Sequence, residues 1–151
     1  MPTEMQGRRV PCPEGAVNAA IRSYPMTFEQ WDTFGSLSPI ELCERLLPEG
    51  EAILRYCQEQ VDTACRNAVE IEMDGYKVLS TNATMLISEI GEQLAKDRPF
   101  SATFFIQGDG KRIWSLRSRE GGIDVSEVAR RRGGGGHPEA AGFEEPIDIL
   151  R

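Results

Sequence analysis

The chain has 151 residues, 40% of them hydrophobic and 27% charged, with 17 basic side chains against 24 acidic ones and a formal charge of -7. That length fits one domain with a true core; the apolar content excludes a disordered chain, and no apolar run approaches the roughly 18 residues of a membrane span. A single histidine excludes a multi-histidine metal centre. The polar, Pro-rich start of the chain argues against a secretory signal peptide.

Residues 1–13 lack periodicity and read as a tail or linker. Glu14 to Phe34 holds two short helical stretches, broken at Arg22-Ser23-Tyr24-Pro25. Ser38-Pro39-Ile40-Glu41 predicts a helix start, with Ser38 as cap, Pro39 at the first helical position and Glu41 closing a capping box. Leu46, Leu47, Ile53, Leu54, Cys57, Val61, Ala64 and Cys65 continue an apolar helical stripe to about Ala68. Pro48 is expected to split it into two helices. The acids and arginines between Glu41 and Arg66 read as a solvated face.

After Ala68 the period changes to two. Val69, Ile71 and Met73 alternate with acids, Asp74-Gly75 is a two-residue hairpin turn, and Tyr76 to Leu79 is the returning strand. Met85 to Lys96 predicts an amphipathic helix, with Pro99 beyond its end. Ala102 to Ile106 and Arg112 to Arg117 form a second hairpin across Gly108-Asp109-Gly110. Asp124 to Arg132 is a helix boxed by Asp124 and Glu127 and stopped at Gly133. The expected fold is α/β, a mixed sheet flanked by helices, with residues 1–36 as tail and linker helices and residues 37–151 as the domain.

Cys12, Cys43, Cys57 and Cys65 have no zinc-type spacing. Cys57 and Cys65, on one apolar helix face, read as buried free thiols, which suits a reducing cytoplasm. The charges are segregated. Between Lys111 and His137 seven basic residues face three acids, a balance of +4, while the remainder carries -11. A patch of that kind attracts phosphate locally although the whole chain is acidic.

Gly133-Gly134-Gly135-Gly136-His137-Pro138-Glu139-Ala140-Ala141-Gly142-Phe143 is the most informative stretch. Four glycines in a row would suit a flexible linker. A capped helix running into them, and a second helical turn expected over Pro138 to Gly142, favour instead a loop that offers bare N–H groups at a helix N-terminus to an anion. His137, at the capping position, adds a donor. On the strand before, Trp114 and Leu116 share one face and Ile113, Ser115 and Arg117 the other. Arg117 can grip a phosphate with two parallel N–H bonds, and Ser115 can add a hydroxyl contact or simply fill a half-buried face. Arg130, Arg131 and Arg132 are less specific, since basic residues at a helix C-terminus complement the dipole.

Ser115-Leu116-Arg117-Ser118, then Asp124-Val125-Ser126, then Gly-Gly-Gly-His-x-x-Ala-Ala-Gly-Phe over 134–143 resemble the DHHA1 domain, the C-terminal substrate-binding domain of DHH phosphoesterases. The resemblance spans about Asn18 to Phe143. It implies phosphate-binding roles for Arg117, Ser118, Gly135, Gly136 and His137, to which the anion-binding reading of the residues adds Ser115 and Gly134, and a short single-stranded oligonucleotide or nucleotide as ligand. In that family a separate DHH domain carries Asp-x-Asp and Asp-His-His motifs and two metal ions, usually manganese. None of those motifs occurs here. No cofactor is expected in this chain, Mn2+ being implied only for a separate catalytic domain or subunit, and the chain alone is expected to be inactive. A stand-alone nucleic-acid-binding module and a protein-interaction domain using the basic patch are the alternatives.

Overall fold

A computed structural model describes residues 14–147. The tail read over 1–13, Cys12 and residues 148–151 lie outside the described residues. The chain folds as two compact units, one up to Gln58 and one from Glu59 onward.

The first unit holds helices α1 (Glu14–Ser23) and α2 (Phe28–Gly35) and most of α3 (Pro39–Arg66). Its small core is Ala20, Phe34 and Leu46, with Tyr24 set edge-on against Phe34 at 5.3 Å. The capping box forms as the sequence predicts. The Ser38 N–H donates to the Glu41 carboxylate at 2.8 Å, and the Glu41 N–H donates to Ser38 Oγ at 3.3 Å. Pro48 does not split the helix. α3 continues through it, because carrying on forfeits one N–H bond whereas stopping and restarting would expose two new sets of unpaired end groups. Cys57 and Cys65 are free thiols, half-buried rather than fully buried, and Cys43 is disulfide-bonded.

The second unit is built on strands β1 (Val69–Met73), β2 (Tyr76–Asn82), β3 (Ser101–Ile106), β4 (Lys111–Arg117), β5 (Gly135–His137) and β6 (Ala140–Pro146), with helices α4 (Ile87–Ala95) and α5 (Val125–Arg130) between them. The six strands make one mixed sheet in the order β1-β2-β3-β4-β6-β5, in which β2 and β3 run parallel and the other neighbours antiparallel. The expected α/β class with a mixed sheet is therefore correct. Asp74 and Gly75 both have positive φ, 52° and 81°, which is the geometry a two-residue hairpin with native twist needs.

Alternation along the strands divides the sheet into two faces. Val78, Ala102, Trp114, Leu116 and Phe143 meet Val125, Val128 and Ala129 of α5 in the main core. On the opposite face α4 lies over the sheet, its Ile90 and Leu94 packing with Val61, Leu79 and Leu86. The core face of β4 is the one the sequence predicts, Trp114 and Leu116 being buried.

Two local expectations need correction. Asp124 does cap α5, but its carboxylate takes the Ser126 N–H at 2.9 Å, and Glu127 pairs with Arg130 instead of closing a box. More consequential, no helix forms over Pro138 to Gly142. Pro138 and Glu139 turn the chain between β5 and β6, and β6 pairs with β4 along seven positions from Arg117↔Ala140 to Lys111↔Pro146. A ladder of that length satisfies far more backbone groups than one isolated helical turn could. Phe143 and Ala141 keep the period-two pattern, pointing into the core.

Candidate functional site

The site grows out of the two strands that flank β6. Ser115 and Arg117 stand on β4 opposite Gly142 and Ala140, and β5 brings Gly135 alongside the same Gly142. Together with Gly133 and Gly134 they line an open cleft of about 540 Å³. The stacked rings of Trp114 and Phe143, 5.9 Å apart, lie within the strands that form its base.

Of the residues singled out from the sequence, the fold brings Ser115, Arg117, Gly134 and Gly135 together around this cleft and leaves Ser118, Gly136 and His137 outside its lining. Ser118 is buried and its N–H donates to Glu139 O at 2.9 Å; Val125 N–H donates to Pro138 O at 2.9 Å. These two bonds pin the turn that follows His137. His137 itself is exposed, the last residue of β5, across from Ala140. The N–H groups near the cleft thus belong to a glycine strand and its approach, not to a helix N-terminus.

The glycines differ in what demands them. A Cβ on Gly134 would run into Gly142 O and Phe143, and one on Gly136 would meet Ala140 O and Ala141. Both are spent on close backbone approach. A Cβ on Gly135 would meet nothing within 4 Å. Its lack of a side chain leaves room above the strand.

Charge pairing sharpens the picture of the basic segment. Lys111 pairs with Glu144 at 2.7 Å, Arg112 with Glu145 at 3.2 Å and Arg130 with Glu127 at 3.2 Å. Arg131 and Arg132 both close on Asp74, at 3.1 and 2.6 Å. Five of the seven cations are therefore paired with carboxylates within the fold. Arg119 donates to the Lys96 carbonyl at 2.7 Å. Arg117 donates to Ser88 Oγ at 2.6 Å and, among the described residues, meets no carboxylate. The cleft thus contains a guanidinium whose charge is uncompensated and whose other N–H donors remain available.

Sequence reasoning missed the surroundings of Arg117. Ser88 and Gly91 sit on α4, and Ser101 sits on β3 directly opposite Arg117. The contact between residues 88 and 117 leaves no trace in local patterning. Gly91 was the available signal, since a glycine inside an amphipathic helix often marks a close approach.

Residues 76–147 match the DHHA1 domain. This segment is a DHHA1 domain. The chain is also 38% identical over 100 residues to oligoribonuclease NrnB of Bacillus subtilis (strain 168), a match covering 66% of the chain and 24% of that protein. It spans about a quarter of that relative's length. Its fold resembles that of the pGpG-specific phosphodiesterase PggH from Vibrio cholerae, with a TM-score of 0.56 at 12% identity, covering 90% of this chain and 53% of that one.

Among the described residues no three His, Cys, Asp or Glu side chains gather to hold a metal ion. No helix among the described residues is long and apolar enough to cross a membrane.

Proposed function

We propose that this DHHA1 domain binds the phosphate of a nucleotide or short single-stranded oligonucleotide in the β4–β6–β5 cleft, as the substrate-holding part of a DHH-type phosphoesterase. The observation that carries this reading is Arg117, a guanidinium in a glycine-lined cleft without a carboxylate partner among the described residues. Guanidinium forks match phosphate oxygens in pairs, and nearby backbone N–H groups add neutral donors. Ser115 is placed to add a hydroxyl. His137, exposed at the end of β5, would act from the rim on a ligand extending past Gly135. The relative named as an oligoribonuclease and the fold relative named as a pGpG phosphodiesterase support a nucleotide ligand.

The cleavage step, on this reading, belongs to a metal-bearing catalytic domain or subunit, because a two-metal hydrolysis needs carboxylates and histidines collected at one point. The basic segment offers little to an acidic protein partner, since five of its seven cations are already paired internally. The free thiols of Cys57 and Cys65 suit a reducing cytoplasm, whereas the disulfide at Cys43 does not.

Titration of the chain with a 5′-phosphorylated dinucleotide tests the reading. Arg117→Ala is expected to weaken binding about ten- to a hundredfold, the worth of a charge-assisted hydrogen bond. Affinity should fall only shallowly with salt, as for a ligand with about one or two phosphates in contact. Affinity indifferent to Arg117 would overturn the proposal. Adding Mn2+ to the chain alone should produce no cleavage; metal-dependent cleavage that Arg117→Ala abolishes would overturn the assignment of catalysis to another domain.

A further inference from the structure

We propose that Ser88 and Gly91 of α4 are positioning residues for Arg117, holding its guanidinium at the angle at which its free edge serves the cleft; this rests on the phosphate-binding reading above. An arginine on a strand can place its head group over a wide arc, because four torsions separate it from the backbone. Two features of α4 remove that freedom here.

The first acts on the stem. Gly91 is buried, and a Cβ there would stand 2.6 Å from Arg117 Cγ and 3.2 Å from its Cβ. The helix therefore presses its one side-chain-free position onto the aliphatic part of Arg117. Ser101, the cross-strand partner of Arg117, donates its hydroxyl to the Gly91 carbonyl at 2.6 Å, so the helix is fastened at that same residue. The second acts on the head. Arg117 Nη2 donates to Ser88 Oγ at 2.6 Å, one turn earlier on the same helix. A planar guanidinium fixed by its stem and by one terminal nitrogen has a defined plane. Its remaining donors then point in one direction, and what they lose in entropy on meeting a phosphate has already been lost in folding.

The start of α4 carries strain that fits this role. Leu86, a non-glycine residue, holds a left-handed backbone at φ 54° immediately before the helix, with no side-chain cap bond. Such a residue is strained and persists where its neighbours dictate the conformation. Here it sets where the first turn of α4 begins, and with it the position of Ser88.

Binding of a 5′-phosphorylated dinucleotide to the unaltered chain, Ser88→Ala, Ser88→Thr, Arg117→Ala and the Ser88→Ala/Arg117→Ala double variant tests the inference. Ser88→Ala should weaken binding about three- to tenfold with little change in melting temperature, and Ser88→Thr, which keeps the hydroxyl, should recover most of that loss. The double variant should bind no more weakly than Arg117→Ala alone, since the serine acts through the arginine. Gly91→Ala, which displaces the stem, should give a loss of the same kind. A readout free of ligand is the Arg117 Nε–H signal in NMR, sharp and single in the parent and averaged in Ser88→Ala. If Arg117→Ala weakens binding and Ser88→Ala neither weakens it nor loosens the Arg117 signal, the positioning role is wrong while the phosphate site stands. A Ser88→Ala loss that persists in the Arg117→Ala background would also overturn it. Absence of binding, or binding indifferent to Arg117, would bring down the phosphate reading and this inference with it.

Discussion

The run from Gly133 to Gly136 shows three uses of one residue type. Gly133, at φ 79°, ends α5 in the left-handed conformation that terminates helices. Gly134 and Gly136 permit the backbone to pass close to β6, whereas Gly135, on strand β5, has open space beside it. Alanine substitution should therefore separate folding from binding. Gly134→Ala is expected to lower stability by roughly 1–3 kcal/mol, because its Cβ has no room and the strand must shift. Gly135→Ala should leave stability within about 0.5 kcal/mol of the parent yet weaken phosphate-ligand binding, because its methyl enters the cleft. Denaturant melts and ligand titrations of the two variants check this; equal effects on stability would refute the distinction.

At the level of elements, the helices of the first unit depend on a contact no local pattern announces. Gly50 lies within α3 against α1, where any Cβ would collide with the Ala16 carbonyl. A glycine in a helix interior normally gains about 1 kcal/mol on replacement by alanine. Here the sign should reverse: Gly50→Ala should destabilise the packing of α1 on α3 by roughly 1–3 kcal/mol, since the obstruction is backbone and cannot move aside. Thermal denaturation reads this directly, and a stabilised variant would show the close approach to be wrong. Pro48, two residues earlier, carries the opposite lesson. The helix absorbs the missing bond, so a proline inside a long apolar stripe is a weaker boundary than the local rule suggests. The β5–β6 hairpin shows why the helix expected at Pro138 fails. Its short Ala-Ala-Gly-Phe run fits either period, and only the pairing with β4 decides between them.

For the whole molecule, the charge of -7 and even the +4 of the basic segment are poor guides to the ligand field. Most of that segment's cations tie the fold together. Asp74, at the tip of the β1–β2 hairpin and 14% exposed, receives both Arg131 and Arg132 from the end of α5, and Arg132 also lies 5.3 Å over the Phe143 ring. Burial resists ionisation of Asp74, but the bonds from Arg132 and Arg131 outweigh it, and the carboxyl is held below its ordinary value. A folded-state pKa lowered in this way contributes stability above the unfolded value near 4 that is lost as pH falls through the folded one. Asp74→Asn should thus lower stability by roughly 1–3 kcal/mol at pH 7, with the gap to the parent shrinking once pH drops below about 4. Urea unfolding at pH 7 and pH 3 measures it; a gap independent of pH would mean that the charge on Asp74 contributes nothing.

Much of this protein was legible without coordinates wherever the signal was local. The Ser38–Glu41 box, the Asp74-Gly75 turn, the faces of β4 and the stop at Gly133 each depend on a few consecutive residues and their intrinsic geometry, and so did the motifs resembling DHHA1. What separates the site's residues by role depends on contacts across the fold. Tertiary structure decided that Gly135 faces a cleft while Gly134 and Gly136 are packed, that Ser118 pins a turn, and that Arg117 meets a serine where most of the segment's cations meet carboxylates. It alone brought Ser88 and Gly91 to Arg117. The physical reason is one of range: dihedral preferences and capping bonds act within a turn of chain, whereas steric clearance and charge neutralisation are set by whichever distant residues the sheet order places alongside.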